Sequence, residues 1–140
     1  MFHKIMVAYD ESPEAGRALR TAIELAKAVQ AELSVVTVLE PLPLYYSFAT
    51  LAQPGARWTE EKQAKAAELQ SEARKQAEAA GMPISAELLS GDEVGTIISS
   101  ARRHHADLLV LGLRRHTLMV GGHTAQDVAE RSPCALLGVR

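Results

Sequence analysis

The chain is 140 residues long, 47% hydrophobic and 23% charged, which suits one globular domain with a full core and excludes a disordered chain. A formal net charge of -2 removes any general attraction to nucleic-acid backbones or anionic lipids, and no apolar run approaches the roughly 20 residues that cross a bilayer. The single cysteine, Cys134, excludes an internal disulfide, and the opening MFHKIMVAYDES reads as a strand rather than a leader, so the expectation is a cytoplasmic protein with neither nucleic acid nor membrane as partner.

His3 to Asp10 (HKIMVAYD) predicts a first strand buried on both faces. Ser12 then stands as an N-cap, Pro13 fits the first helical turn, and Glu14 sits where a helix dipole favours an anion. Ala15, Ala18, Leu19, Ala22, Ile23, Ala26 and Val29 recur at three and four, a stripe made to cover a sheet. Leu33 to Leu39 (LSVVTVL) is a β-branched second strand closed by Pro41 and Pro43. The proline-broken stretch 41–58 holds Tyr45, Tyr46, Phe48 and Trp58, and reads as a satellite core, a lid or a partner surface.

A second helix is predicted from Thr59 to about Ala80, with Ala66, Leu69, Ala73, Ala77 and Ala80 inward and Gly81 as its stop. Ile84 to Ser90 gives a weaker strand, suited to an edge. Gly91, Asp92 and Glu93 open a helix whose stripe is Val94, Ile97, Ile98 and Ala101. Asp107 to Gly112 (DLLVLG) is the most apolar strand and so a central one. Thr124 and Asp127 have capping-box spacing at the start of a last helix, and Ala135 to Val139 closes the chain as a strand.

Strands that alternate with helices, without hairpin signals, require crossovers and hence a parallel α/β sheet. Ligands of such sheets lie outside the carboxyl ends of the strands, where strand order reverses. The two most continuous strands end at Ala8, Tyr9 and Asp10 and at Leu111 and Gly112, so these tips are the candidate site if the two strands are neighbours.

The segments KIMVAYDESPEA, VVTVLEP, the Gly91-Asp92 turn, DLLVLGLRRH and SPCALLGVR, taken in that order, resemble the universal stress protein family from end to end. The resemblance implies one doubly wound α/β domain over residues 1–140, a five-stranded parallel sheet in the order 3-2-1-4-5 with helices on both faces, and a role in the stress response. It also implies an adenine nucleotide, ATP or AMP with magnesium, close to Asp10, with the backbone at Val38 meeting the adenine. Family members commonly pair as homodimers through the last strand, here ALLGVR.

Nucleotide-binding members carry Gly, two residues, Gly, nine residues, then Gly followed by Ser or Thr, a pattern that lets backbone N–H groups approach phosphates. Gly112 matches the first glycine, but Arg115 replaces the second, only six residues separate it from Gly122, and His123 stands in the hydroxyl position. The side chain of Arg115 and the shortened span oppose the usual triphosphate grip. Arg114 and Arg115 can instead neutralise phosphates, and Thr124 offers a hydroxyl one residue late. Two readings therefore stand: a remodelled nucleotide site, or a dimeric protein-interaction module that has lost the nucleotide.

His104 and His105 are adjacent in sequence and point to different faces, and His116 and His123 lack acidic or cysteine partners at ligand spacing, so no metal site is predicted. Cys134 reads as a small core residue. No nucleophile elbow or phosphate-loop lysine occurs, so no catalytic residues are assigned and at most slow ATP hydrolysis is expected.

Overall fold

The computed structural model describes residues 1–41, 54–114 and 124–140, with the side chains of 54–59 excepted. The expectations placed on Tyr45, Tyr46, Phe48, the Trp58 side chain, Arg115, His116, Gly122 and His123 lie outside the described residues. The elements are β1 (Lys4–Ala8), α1 (Pro13–Val29), β2 (Glu32–Leu39), α2 (Pro54–Ala79), β3 (Ile84–Ser90), α3 (Glu93–Arg103), β4 (Leu108–Gly112), α4 (Thr124–Arg131) and β5 (Ala135–Val139). All strands run parallel in the order β3-β2-β1-β4-β5. This is the doubly wound sheet that the sequence implies, with β4 central and β3 at an edge.

Strand alternation sends successive side chains to opposite faces and so builds two cores. Ile5, Val7, Leu33, Val35, Leu108 and Val110 pack against the alanine stripe of α1 and against Ala73 and Ala77 of α2. Met6, Val36, Leu109 and Leu111 meet Ile97, Ile98 and Ala101 of α3 and Val128 of α4. Alanine is what allows α1 to lie close to the sheet, while Leu19 and Ile23 are its largest buried side chains, each stabilising by roughly 1.5–3 kcal/mol. Cys134 is half-buried on the α3 and α4 side, beside Leu136. Among the described residues no helix is long and apolar enough to cross a membrane.

Local signals fix the entries and exits. Ser12 caps α1 by accepting from the Ala15 N–H at 3.1 Å, and Asp92 caps α3 by accepting from the Gly95 N–H at 2.7 Å. Helix α2 starts earlier than predicted, at Pro54 rather than Thr59, because a proline is tolerated in a first helical turn. Before β4, the Asp107 carboxylate accepts from the backbone of His3 at 2.7 Å and Lys4 at 3.0 Å, which pins the start of β4 to the start of β1. Desolvation works to raise its pKa, but these donors win and hold it below the usual carboxylate range.

Three helices end in the same left-handed device, in which an N–H reaches back five residues: Ala31 to Ala26, Met82 to Ala77 and Ala106 to Ala101. The residue in left-handed conformation is Gly81 after α2 (φ 74°), but Gln30 after α1 (φ 58°) and His105 after α3 (φ 54°). The last two carry a Cβ penalty that glycine lacks, and the Gln30 side chain is exposed. Gln30→Gly is therefore expected to stabilise the fold by about 0.5–1 kcal/mol, seen as a higher urea midpoint with an unchanged slope. A lower midpoint would show that the Gln30 side chain contributes more than its backbone costs.

Candidate functional site

Strands β1 and β4 lie side by side, with Ala8 opposite Leu111. From these neighbouring tips the chain departs in opposite directions. After β1 it enters α1 on one face, and α4, which follows β4, packs on the other. The divergence leaves a crevice of about 170 Å³ at the carboxyl ends of the strands. Its apolar part comes from Ala8, Val36, Val38, Ile97 and Leu111, and its polar part from Asp10, Ser12, Glu93, Arg114 and Thr124.

Asp10 is held from two sides. One carboxylate oxygen accepts from the Ser12 N–H at 2.8 Å, a turn that locks the side chain to its own backbone. The other meets the Arg114 guanidinium at 2.5 Å. The carboxylate of Asp10 strengthens the proton affinity of Arg114 still further, so the guanidinium is permanently charged. Both side chains are open to solvent at the crevice mouth. This is a short charge-assisted contact in a screened position, so it orients the two groups more than it stabilises the fold.

Gly112 has a packing role beside the phosphate approach that its motif suggests. A Cβ there would stand 2.6 Å from both the Ala15 N atom and the Glu14 carbonyl carbon, in the first turn of α1. The end of β4 is thus pressed against the start of α1, and only glycine permits that approach. Gly112 borders the crevice with its backbone, and so draws the positive end of the α1 dipole toward it.

The description "Universal stress protein family" fits the sequence over residues 1–140. The chain belongs to the universal stress protein family. A universal stress protein of Thermus aquaticus is 36% identical over 146 aligned residues, covering 100% of both chains. A universal stress protein solved in complex with cAMP is 26% identical, with a TM-score of 0.75 over 99% of this chain and 97% of that one. One from Archaeoglobus fulgidus, in complex with dAMP, is 24% identical and shares the fold, with a TM-score of 0.74 over 99% of this chain and 98% of its own.

In this universal stress protein, Ala8, Tyr9, Asp10, Val38, Leu111, Gly112, Arg114 and Thr124 all border the crevice. Tyr9 is buried, and its ring packs in the α1 and α2 core. Burial, and then Glu72 and Asp10, push its phenol pKa up, so it is a neutral packing group there. Thr124 is the first residue of α4, and its hydroxyl donates to the Glu93 carboxylate at 3.4 Å, in place of the capping-box role that its spacing suggested. Among the described residues no three His, Cys, Asp or Glu side chains gather as a metal ion would need.

Sequence reasoning assigned no site role to Ser12, Glu93, Ile97 or Ala125, which also border the crevice. Their common signal is position: each lies in or near the first turns of a helix that follows a strand's carboxyl end. Glu93 stands out, because desolvation first, then Glu40 and Asp10, raise the pKa of its carboxyl, and Arg114 and the Thr124 hydroxyl only partly offset them. A raised native pKa means that the native state binds the proton more tightly than the unfolded chain. Glu93 therefore favours folding below its unfolded pKa and loses that contribution as pH rises through the native pKa. Glu93→Gln, which keeps an acceptor for Thr124, is expected to raise the urea midpoint at pH 7 and to lose that advantage near pH 4. An equal shift at both pH values would mean that the carboxylate charge has no part in it.

Proposed function

We propose that this universal stress protein works in the cytoplasm as a stress-response domain that binds an adenine nucleotide, AMP or ATP, in the crevice between the tips of β1 and β4. The observation that carries the reading is the side-by-side placement of an apolar slot and an oriented carboxylate. Val36, Val38 and Ile97 offer a surface for a flat base, and Asp10, fixed by the Ser12 N–H, is an acceptor for ribose hydroxyls. Arg114 and Thr124 border the same crevice as candidate phosphate contacts, with Arg115, Gly122 and His123 assigned to the same loop by the sequence alone. The relatives bound to cAMP and dAMP support the choice of adenine. Magnesium enters this reading as the counterion of a bound nucleotide.

Isothermal calorimetry with adenosine and AMP tests it. Saturable binding that weakens at least tenfold in Asp10→Ala is the expected result, the scale of losing a hydrogen bond to a charged group. Flat traces to millimolar ligand would favour the second reading, a protein-interaction module without nucleotide. One contact speaks for that alternative: Arg114 is already engaged by Asp10.

In either reading we infer a homodimer formed through β5. This strand is the sheet edge beside β4, and an apolar edge left unpaired is an aggregation hazard. Sedimentation equilibrium at tens of micromolar is expected to give about twice the 15.1 kDa chain mass. A single 15.1 kDa species across that range would remove the dimer.

A further inference from the structure

Three polar donors of residues that border the crevice already face carboxylates. The Arg114 guanidinium meets Asp10, the Ser12 N–H donates to Asp10, and the Thr124 hydroxyl donates to Glu93 at 3.4 Å. The two carboxylates differ in how well they are matched. Both are partly buried, but Asp10 has a full cation against it, whereas the hydrogen-bond partner of Glu93 is a neutral hydroxyl at the long end of the range. Glu93 thus engages the hydroxyl with which Thr124 would otherwise serve a phosphate.

The Glu93 carboxyl also has acidic neighbours. Glu40 and Asp10 lie close enough to Glu93 to raise its pKa, with Arg114 as the charged group that opposes them. Among the described residues that border the crevice, two carboxylates therefore meet one guanidinium. Repulsion between fixed carboxylates and a ligand grows with the number of phosphate charges, and a half-buried carboxylate is screened less than one in open solvent. A nucleoside carries no such charge, a monophosphate at most two, and a triphosphate about four.

We propose that Glu93 sets the phosphate count of the ligand: the crevice admits an adenine nucleoside or its monophosphate and rejects the triphosphate. The proposal rests on the adenine-nucleotide reading and adds to it a discriminating residue at the start of α3. Glu93 selects by charge and by occupying the Thr124 hydroxyl, and the base and ribose contacts are left to Val38 and Asp10.

Calorimetric titration of adenosine, AMP and ATP into the wild-type chain and into Glu93→Gln, each with and without magnesium, tests it. In the wild type ATP is expected to bind at least tenfold more weakly than AMP in both buffers. In Glu93→Gln, ATP is expected to gain at least fivefold, with adenosine unchanged within twofold, a pattern that a general loosening of the site would not produce. ATP binding as tightly as AMP to the wild type in either buffer, or an ATP to AMP ratio that is the same in both proteins, would overturn the role of Glu93 and leave the nucleotide site standing. Failure of adenosine and AMP alike to bind the wild type would overturn the nucleotide site and the selectivity together.

Discussion

The structure depends on the parallel pairing of β1 with β4 at the point where the chain turns from one half of the sheet to the other. That pairing is anchored at its start by Asp107, whose carboxylate takes the backbone N–H groups of His3 and Lys4. It continues from Ile5 opposite Leu108 to Ala8 opposite Leu111, through residues that are buried except at the partly buried Ala8. Because the two strands are neighbours in space but distant in sequence, the helices associated with them are free to occupy opposite faces. A gap between their tips is then unavoidable, and the crevice is a consequence of topology before any side chain is considered.

Side-chain chemistry then gives that gap a character. The β1 tip presents Asp10, locked by Ser12, and the β4 tip presents Arg114, so the crevice mouth carries one charge of each sign in contact. Gly112 brings the start of α1 against β4, with the positive end of that helix dipole beside the crevice. On the opposite side α3 begins with Glu93, an acid at a helix N-terminus, where the dipole favours it. The dipole's preference and the desolvation of the same carboxyl act in opposite directions, and desolvation, aided by Glu40 and Asp10, wins. A residue that reads as ordinary helix-capping composition thereby becomes the least well compensated charge in the site.

Much of the fold was legible because its determinants are local. The alanine stripe of α1, the cap at Ser12, the glycine stop after α2 and the apolar run before Gly112 are each patterns within a few residues, and each lies where the pattern predicts. Strand order was implied by the resemblance of several segments in series, since no local pattern encodes which strands are neighbours. The site was legible in part for the same reason. Asp10, Val38 and Gly112 lie at strand ends and follow from topology. Ser12 and Glu93 needed the third dimension, because only the meeting of β1, β4 and α3 turns a capping serine and a first-turn glutamate toward one crevice. Helix α2 starts at Pro54, ahead of the Thr59 that the sequence suggests, because a proline in a first turn is as compatible with a start as with a break.

The departure of the glycine pattern and the presence of Glu93 belong to one argument about anions. A loop that keeps Gly112, places Arg115 where a second glycine would stand and shortens the run to Gly122 has fewer backbone N–H groups to offer phosphates. If the rest of the site were built for a polyphosphate, the remaining donors would be free or flanked by cations. Instead the Thr124 hydroxyl is turned to Glu93 and the Arg114 guanidinium to Asp10, so the described walls of the crevice are satisfied from within. A ligand that relies on apolar contact with Val36, Val38 and Ile97 meets no opposition from either carboxylate, while each added phosphate meets both. The acidic wall of the described crevice therefore opposes highly charged ligands more than ones held by apolar contact.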